Sequence, residues 1–229
     1  GLEVNDLPQR SIYDRQGAYI SALGLLAATV EKIAAEVFTL QRTEFGEVAE
    51  GFHRGKVGSS TMAQKRNPGL VMNLVGLARL LRSRIPLVLE AMVRHDEGDG
   101  TANNICETTL PEAVCCAVSL AQGLATLADG LAVDTAAMER NLKLSGGMIA
   151  SEAVMMALAR HIGRHHAHQV LYDVAQDTAE GGGEFVERLR NHALVKRLSI
   201  ELDLDALVNP VNYLGEASAC VDQELASTG

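Results

Sequence analysis

The chain has 229 residues, 47% hydrophobic and 21% charged, the balance of a folded globular protein rather than a disordered one. Lys and Arg number 20 against 29 Asp and Glu, a net charge of −9. That sum argues against non-specific nucleic-acid binders and membrane-surface proteins, which depend on excess positive charge, while aromatics at 3% starve the pleated faces of a sandwich or barrel.

The first predicted element is a long amphipathic helix over residues 20–40. Ile20, Leu23, Leu26, Ala27, Val30, Ile33, Ala34, Val37 and Leu40 recur at steps of three and four. Residues 43–69, TEFGEVAEGFHRGKVGSSTMAQKRNPG, follow with no helical or strand period. Loops of this length are uncommon in compact domains and are often functional. Asn67-Pro68 closes the loop as an expected N-cap and first-turn proline.

Val71, Leu74, Val75, Ala78, Leu81, Ile85 and Val88 predict a second helix, kinked or ended at Pro86. HDEGDGTANN at 95–104 predicts a break, and Pro111 is expected to open a third helix through Val114, Val118, Leu120, Leu124 and Leu127. Asp134 is placed to cap a short helix that Gly146-Gly147 stops. Beyond it, shorter helices are expected at 149–162, 164–180 and 184–197, then two more around an Asn-Pro turn. The predicted fold is all-α: a long-helix bundle over 1–146 and a small helical domain over 147–229.

The four cysteines form no CxxC, so neither a disulfide framework nor a zinc ribbon is expected. Cys115-Cys116 and Met155-Met156 read as core hydrophobes. No uninterrupted apolar run reaches the ~20 residues of a spanning helix, and no basic segment leads into an apolar one near Gly1. A cytoplasmic protein without membrane or nucleic-acid partners is expected.

Residues 58–68, GSSTMAQKRNP, carry the most chemistry. Small residues, two neighbouring serines and two cations stand on a loop that enters a helix N-terminus, whose N–H groups and dipole attract anions. This is a cradle suited to a carboxylate, and a serine beside such donors and Lys65 can act as a base. Gly55 and Gly58 could let the loop open and close. By composition alone a solvated loop with an ordinary cap is the better reading of the stretch. His161, His165 and His168 have metal-compatible helical spacing, but a solvated face is the simpler reading. His95 reads as either a substrate contact or a helix-end residue. Arg79, Arg82, Arg84 and Arg94 read as interhelical partners before anion anchors.

GSSTMAQKRNP resembles the GSSxMPxKxNP signature of the fumarase/aspartase superfamily, with Ala63 in place of the proline. LQRTEFGEV at 40–48, SGGMIASEAVMMALARHIGR at 145–164 and NPVNYLGEA at 209–217 extend the resemblance, the C-terminal text lying nearest the 3-carboxy-cis,cis-muconate cycloisomerase branch. HDEGDGTANNICETTLP at 95–111 departs from both that branch and adenylosuccinate lyase. The resemblance implies that Ser59 is the catalytic base and that Lys65 and Asn67 hold a substrate carboxylate, with Ser60 and Met62 beside them. It implies no metal or organic cofactor, a small polycarboxylate substrate, and a homotetramer whose active sites are shared between subunits. It also implies a longer polypeptide, of which this chain is the C-terminal portion. Residues 51–64 are expected to become ordered when a dicarboxylate binds. A helical assembly module without catalysis is the non-enzymatic alternative.

Overall fold

A computed structural model describes residues 10–52, 61–62, 65–181, 183–198 and 202–227. The chain divides into two compact units, Gly1–Met138 and Glu139–Gly229.

In the first unit, three long helices supply almost all of the core: α1 (Asp14–Leu40), α2 (Gly69–Glu90) and α3 (Gly100–Gly130). Ile20, Val30, Leu74, Leu81 and Leu120 are completely buried where α2 packs against α1 and α3. Burying each such side chain is worth roughly 1.5–3 kcal/mol. On α1, Gly24 faces Ile85: a Cβ there would lie 2.2 Å from the Ile85 Cδ1, so the end of the Ile85 side chain fills the space that a side chain on Gly24 would take. Arg79 (2.8 Å) and Arg82 of α2 both bind Glu31 of α1, and Arg84 binds Glu112 of α3 at 2.9 Å. These arginines are the interhelical partners expected of them. The Arg79 hydrogen bond, assisted by Arg82, holds the Glu31 carboxyl below its ordinary range.

Helix α2 runs through Pro86 to Glu90. Helix α3 differs from its expected start: it begins at Gly100, with Pro111 inside it. Asp99 makes this possible by accepting from the N–H groups of Thr101 (2.9 Å) and Ala102 (3.2 Å). Buried Ala91, Ala102 and Cys106, with Tyr13, then secure the turns before the proline. Arg94 spans the same place, 3.8 Å above the Tyr13 ring and 2.6 Å from the Asn103 Oδ1. The buried stripe of α3 also runs through Ala113 and Ala117 rather than Val118, which is exposed, as is Cys115. Alanine is preferred at these contacts because small side chains allow close helix approach, which displaces the stripe by one residue.

By length and hydropathy α3 could cross a membrane, but its Ala113, Ala117, Leu120 and Leu127 belong to the same core as α1 and α2. Many other apolar side chains on these helices face outward, among them Leu25 (74% exposed), Met72 (56%) and Leu80 (51%).

Two short strands join distant parts of this unit. β1 (Val48–Ala49) pairs antiparallel with β2 (Ala132–Val133), Val48 opposite Val133 and Ala49 opposite Ala132. The Asp134 N–H continues the ladder to the Glu47 carbonyl at 2.9 Å, while its side chain caps α4 (Thr135–Lys143) through the Ala137 N–H. Gly146 and Gly147 follow at φ 57° and 91°, a left-handed conformation that ends the helical path as expected.

The second unit packs α5 (Ser151–Ile162) on α6 (Arg164–Gly181), with Leu158, Phe185 and Leu189 at the centre of its core. Instead of one helix over 184–197 there are two, α7 (Phe185–Asn191) and α8 (Ala193–Leu198), because His192 is extended at ψ 131°. Gly163 separates α5 from α6, so His161 lies on a different helix from His165 and His168 and the i, i+4 face is interrupted. Met155 packs on this core, but Met156 is exposed. The chain ends in α9 (Leu204–Val208), a turn at Pro210–Asn212 and α10 (Ala217–Ser227).

Candidate active site

The site is built where the loop after α1 enters α2. Among the expected residues, Lys65 and Asn67 lie in the irregular stretch before α2, and both are exposed. Met62 is exposed as well, and its carbonyl accepts the Lys65 N–H at 3.1 Å. Ser59 and Ser60 lie outside the described residues, as do Gly55 and Gly58, and the expected ordering of residues 51–64 by a ligand concerns much the same stretch.

The start of α2 differs from the expected cradle in one decisive way. Asn67 is not its N-cap; Pro68 occupies that position and makes no side-chain cap. The cap comes instead from Glu50, which is 7% exposed. Its Oε1 accepts the Leu70 N–H at 3.1 Å and its Oε2 the Val71 N–H at 3.0 Å. The Gly69 N–H meets the Asn67 carbonyl at 2.9 Å and the Met72 N–H the Pro68 carbonyl at 3.1 Å. Pro68 has no N–H and the Met72 bond is the first within the helix, so the three N–H groups that this helix start leaves open, those of Gly69, Leu70 and Val71, are all engaged. A substrate carboxylate at this end has to be held by side chains.

The side chains are suited to it. A cavity of about 290 Å³ opens here, lined by Phe38, Gln41, Arg42, Phe52, Arg66 and Asn67 among others. Arg66 stacks 4.4 Å from the Phe52 ring centroid, and Arg42 lies 5.5 Å from that of Phe38. An aromatic face holds each guanidinium without neutralising it, so the cavity presents two cations together with the Glu50 carboxylate that also lines it. The Gln41 Oε1 accepts the Glu50 N–H at 3.4 Å.

Glu50, Arg42 and the aromatic rings went unmarked in the sequence. A single glutamate in VAEGF carries no pattern, and its partners are backbone atoms 20 and 21 residues away. His95 lies in the bend between α2 and α3, at neither helix end, and its N–H donates to the Asp99 Oδ2 at 3.2 Å.

The chain has relatives among known proteins. Residues 4–80 match the family described as "Lyase", and residues 147–223 match "Adenylosuccinate lyase C-terminus". The chain is 37% identical to a 3-carboxy-cis,cis-muconate cycloisomerase of Pseudomonas aeruginosa, over 99% of this chain and 49% of that protein. It is 33% identical to an N-acetyl-S-(2-succino)cysteine lyase of Enterococcus italicus, over 99% of this chain and 50% of that one. The crystal structure of a 3-carboxy-cis,cis-muconate lactonizing enzyme from Pseudomonas putida superposes with a TM-score of 0.88 at 32% identity, covering 98% of this chain and 50% of that chain. The chain therefore spans about half the length of the curated relatives it matches. With its long-helix bundle, its signature stretch at the mouth of α2 and these relatives, the chain belongs to the fumarase/aspartase superfamily of lyases.

Proposed function

We propose that the polypeptide containing this chain catalyses addition or elimination next to a carboxylate, and that its substrate is a small polycarboxylate of the 3-carboxy-cis,cis-muconate type. One observation carries the reading: Lys65 and Asn67 are exposed at the start of a helix whose own N–H groups are already engaged, beside a cavity lined by Arg42 and Arg66. Side-chain cations there stabilise the charge that builds on a carboxylate when the neighbouring carbon becomes a carbanion.

Ser59 is the proton-transfer group in this reading. In the eliminating direction its alkoxide accepts the proton of the carbon beside the carboxylate, and the C–O or C–N bond then breaks. In the lactonising direction a carboxylate oxygen bonds to one carbon of a double bond, and Ser59 returns a proton to the other. Ser60 and Met62 complete the loop around the substrate. The outward-facing Leu25, Met72 and Leu80 support a homotetramer built on these helices, with sites shared between subunits. A second reading, cleavage of adenylosuccinate, is supported by the family matched over residues 147–223.

The test is turnover of both substrates by the full-length protein. Activity on 3-carboxy-cis,cis-muconate is expected, and activity on adenylosuccinate alone would reverse the order. Ser59→Ala should lower kcat by about 10²–10⁴-fold with KM nearly unchanged, because a base acts on the transition state. Lys65→Ala should raise KM as well, since it removes a ground-state charge contact. Near-normal kcat in Ser59→Ala would move the proton transfer to another group.

A further inference from the structure

The start of α2 has no local cap, and the group that replaces it is anchored elsewhere. Glu50 directly follows β1, which is paired to β2 beyond the end of α3. Gly51, the next residue, lies against Gly130 so closely that a Cβ on Gly51 would be 3.1 Å from the Gly130 carbonyl oxygen. The carboxylate therefore links two roots of one loop: the strand by which the chain enters it and the helix by which the chain leaves.

We infer that Glu50 is the positioning residue of the signature loop, fixing where Lys65 and Asn67 stand through its grip on Leu70 and Val71. The inference rests on the assignment of Lys65 and Asn67 to the substrate carboxylate. Glu50 is not itself a catalytic residue. It is nine-tenths buried, and both its oxygens accept backbone N–H groups. Asn67 lies three residues before Leu70 and its carbonyl accepts the Gly69 N–H, so a shift of the first turn of α2 is passed directly to it. Misplacement of a catalytic constellation by about 1 Å can cost on the order of 10²-fold in rate. A serine or aspartate at the N-cap would accept from the same end of the helix, Leu70 or Val71, but would leave the two roots independent.

That difference is the experiment. Glu50→Ala, Pro68→Ser and the double variant are made in the full-length protein, with Pro68→Ser as the reference for the double. Thermal stability, amide exchange at Leu70 and Val71, kcat and KM are measured. Glu50→Ala should speed exchange at both amides and lower kcat by about 10²-fold, with a smaller change in KM. In the double variant the new hydroxyl should restore Tm and slow the exchange, while kcat stays low. Recovery of kcat together with Tm would make Glu50 a helix cap and nothing more, and would overturn the inference. So would unchanged exchange or a kcat within about twofold of wild type in Glu50→Ala. Should Glu50→Ala fail to fold, Glu50→Gln keeps the shape and one acceptor, and faster exchange at one of the two amides with a milder loss of kcat is expected. Lys65→Ala separates the two levels. If it retains full turnover, the site assignment fails whatever Glu50 does; if it loses turnover and Glu50→Ala does not, only the positioning role fails.

Discussion

Two long helices of the same unit begin in opposite ways. Helix α3 is started by its own neighbour: Asp99 accepts from Thr101 and Ala102 within one turn, on an exposed surface. Helix α2 is started by Glu50, from another element and out of water. The local cap stabilises a helix and tells the rest of the molecule nothing. The remote cap also couples the helix to a strand, and it stands beside the residues assigned to catalysis. A protein that needs only a helix can cap it cheaply from within; one that needs a helix end at a fixed place holds it from outside.

The contrast can be broken most forcefully at Glu50. Glu50→Ala leaves two N–H groups at a buried site without their acceptor, at about 1–3 kcal/mol each, so urea unfolding should report a loss of about 2–6 kcal/mol. A somewhat smaller effect is expected from the other anchor. Gly130→Ala would drive a Cβ to 3.2 Å from the Gly51 Cα, and neither backbone can yield as a flexible side chain would. A loss of about 1–3 kcal/mol, with faster amide exchange at Leu70 and Val71, would show that the anchor is felt at α2. The same exchange pattern should be absent in Leu127→Ala, which thins the core of α3 without touching the anchor.

Asp99 should show the smallest effect, and a distinctive pH dependence. The N–H groups of Ala102, then His95 and Thr101, hold its carboxyl below the ordinary value of 3.8. A carboxyl lowered on folding contributes its stability fully above that ordinary value and loses it as pH falls through the lower, folded one. The gap in Tm between wild type and Asp99→Asn should therefore be constant near neutral pH and close in acid. A gap that widened in acid would contradict the cap.

The same contrast explains what could be read from the sequence. The long helices were legible because a three-four apolar period repeats over many turns, and Asp134 was legible because a cap and its helix are adjacent. Pro111 misled, since a proline is a local signal for a helix start while the decisive groups, Asp99 and the buried Ala91–Ala102–Cys106 cluster, lie elsewhere. The α3 stripe was placed on Val118 rather than Ala117 because apolar size says little about how closely helices approach. His192 divides one expected helix into two with no proline or glycine to announce it. At the site, Lys65, Asn67, Ser59 and Ser60 are all assigned by resemblance. Glu50 was not, because two backbone amides far along the chain leave no trace in side-chain patterns.

The pairing of Val48 with Val133 also dictates an order of events. A strand partner that far downstream closes a long loop, whose entropy must be met before the contact returns anything. On the ribosome, β1 and the signature stretch emerge well before β2, with α2 and all of α3 still to be made. The α1–α2 hairpin can form during that interval, but the entry root of the signature loop has no strand to pair with until residue 133 has left the exit tunnel. The entry root of the signature stretch is therefore among the last features of the first unit to be established, and any lesion that delays α3 delays it as well.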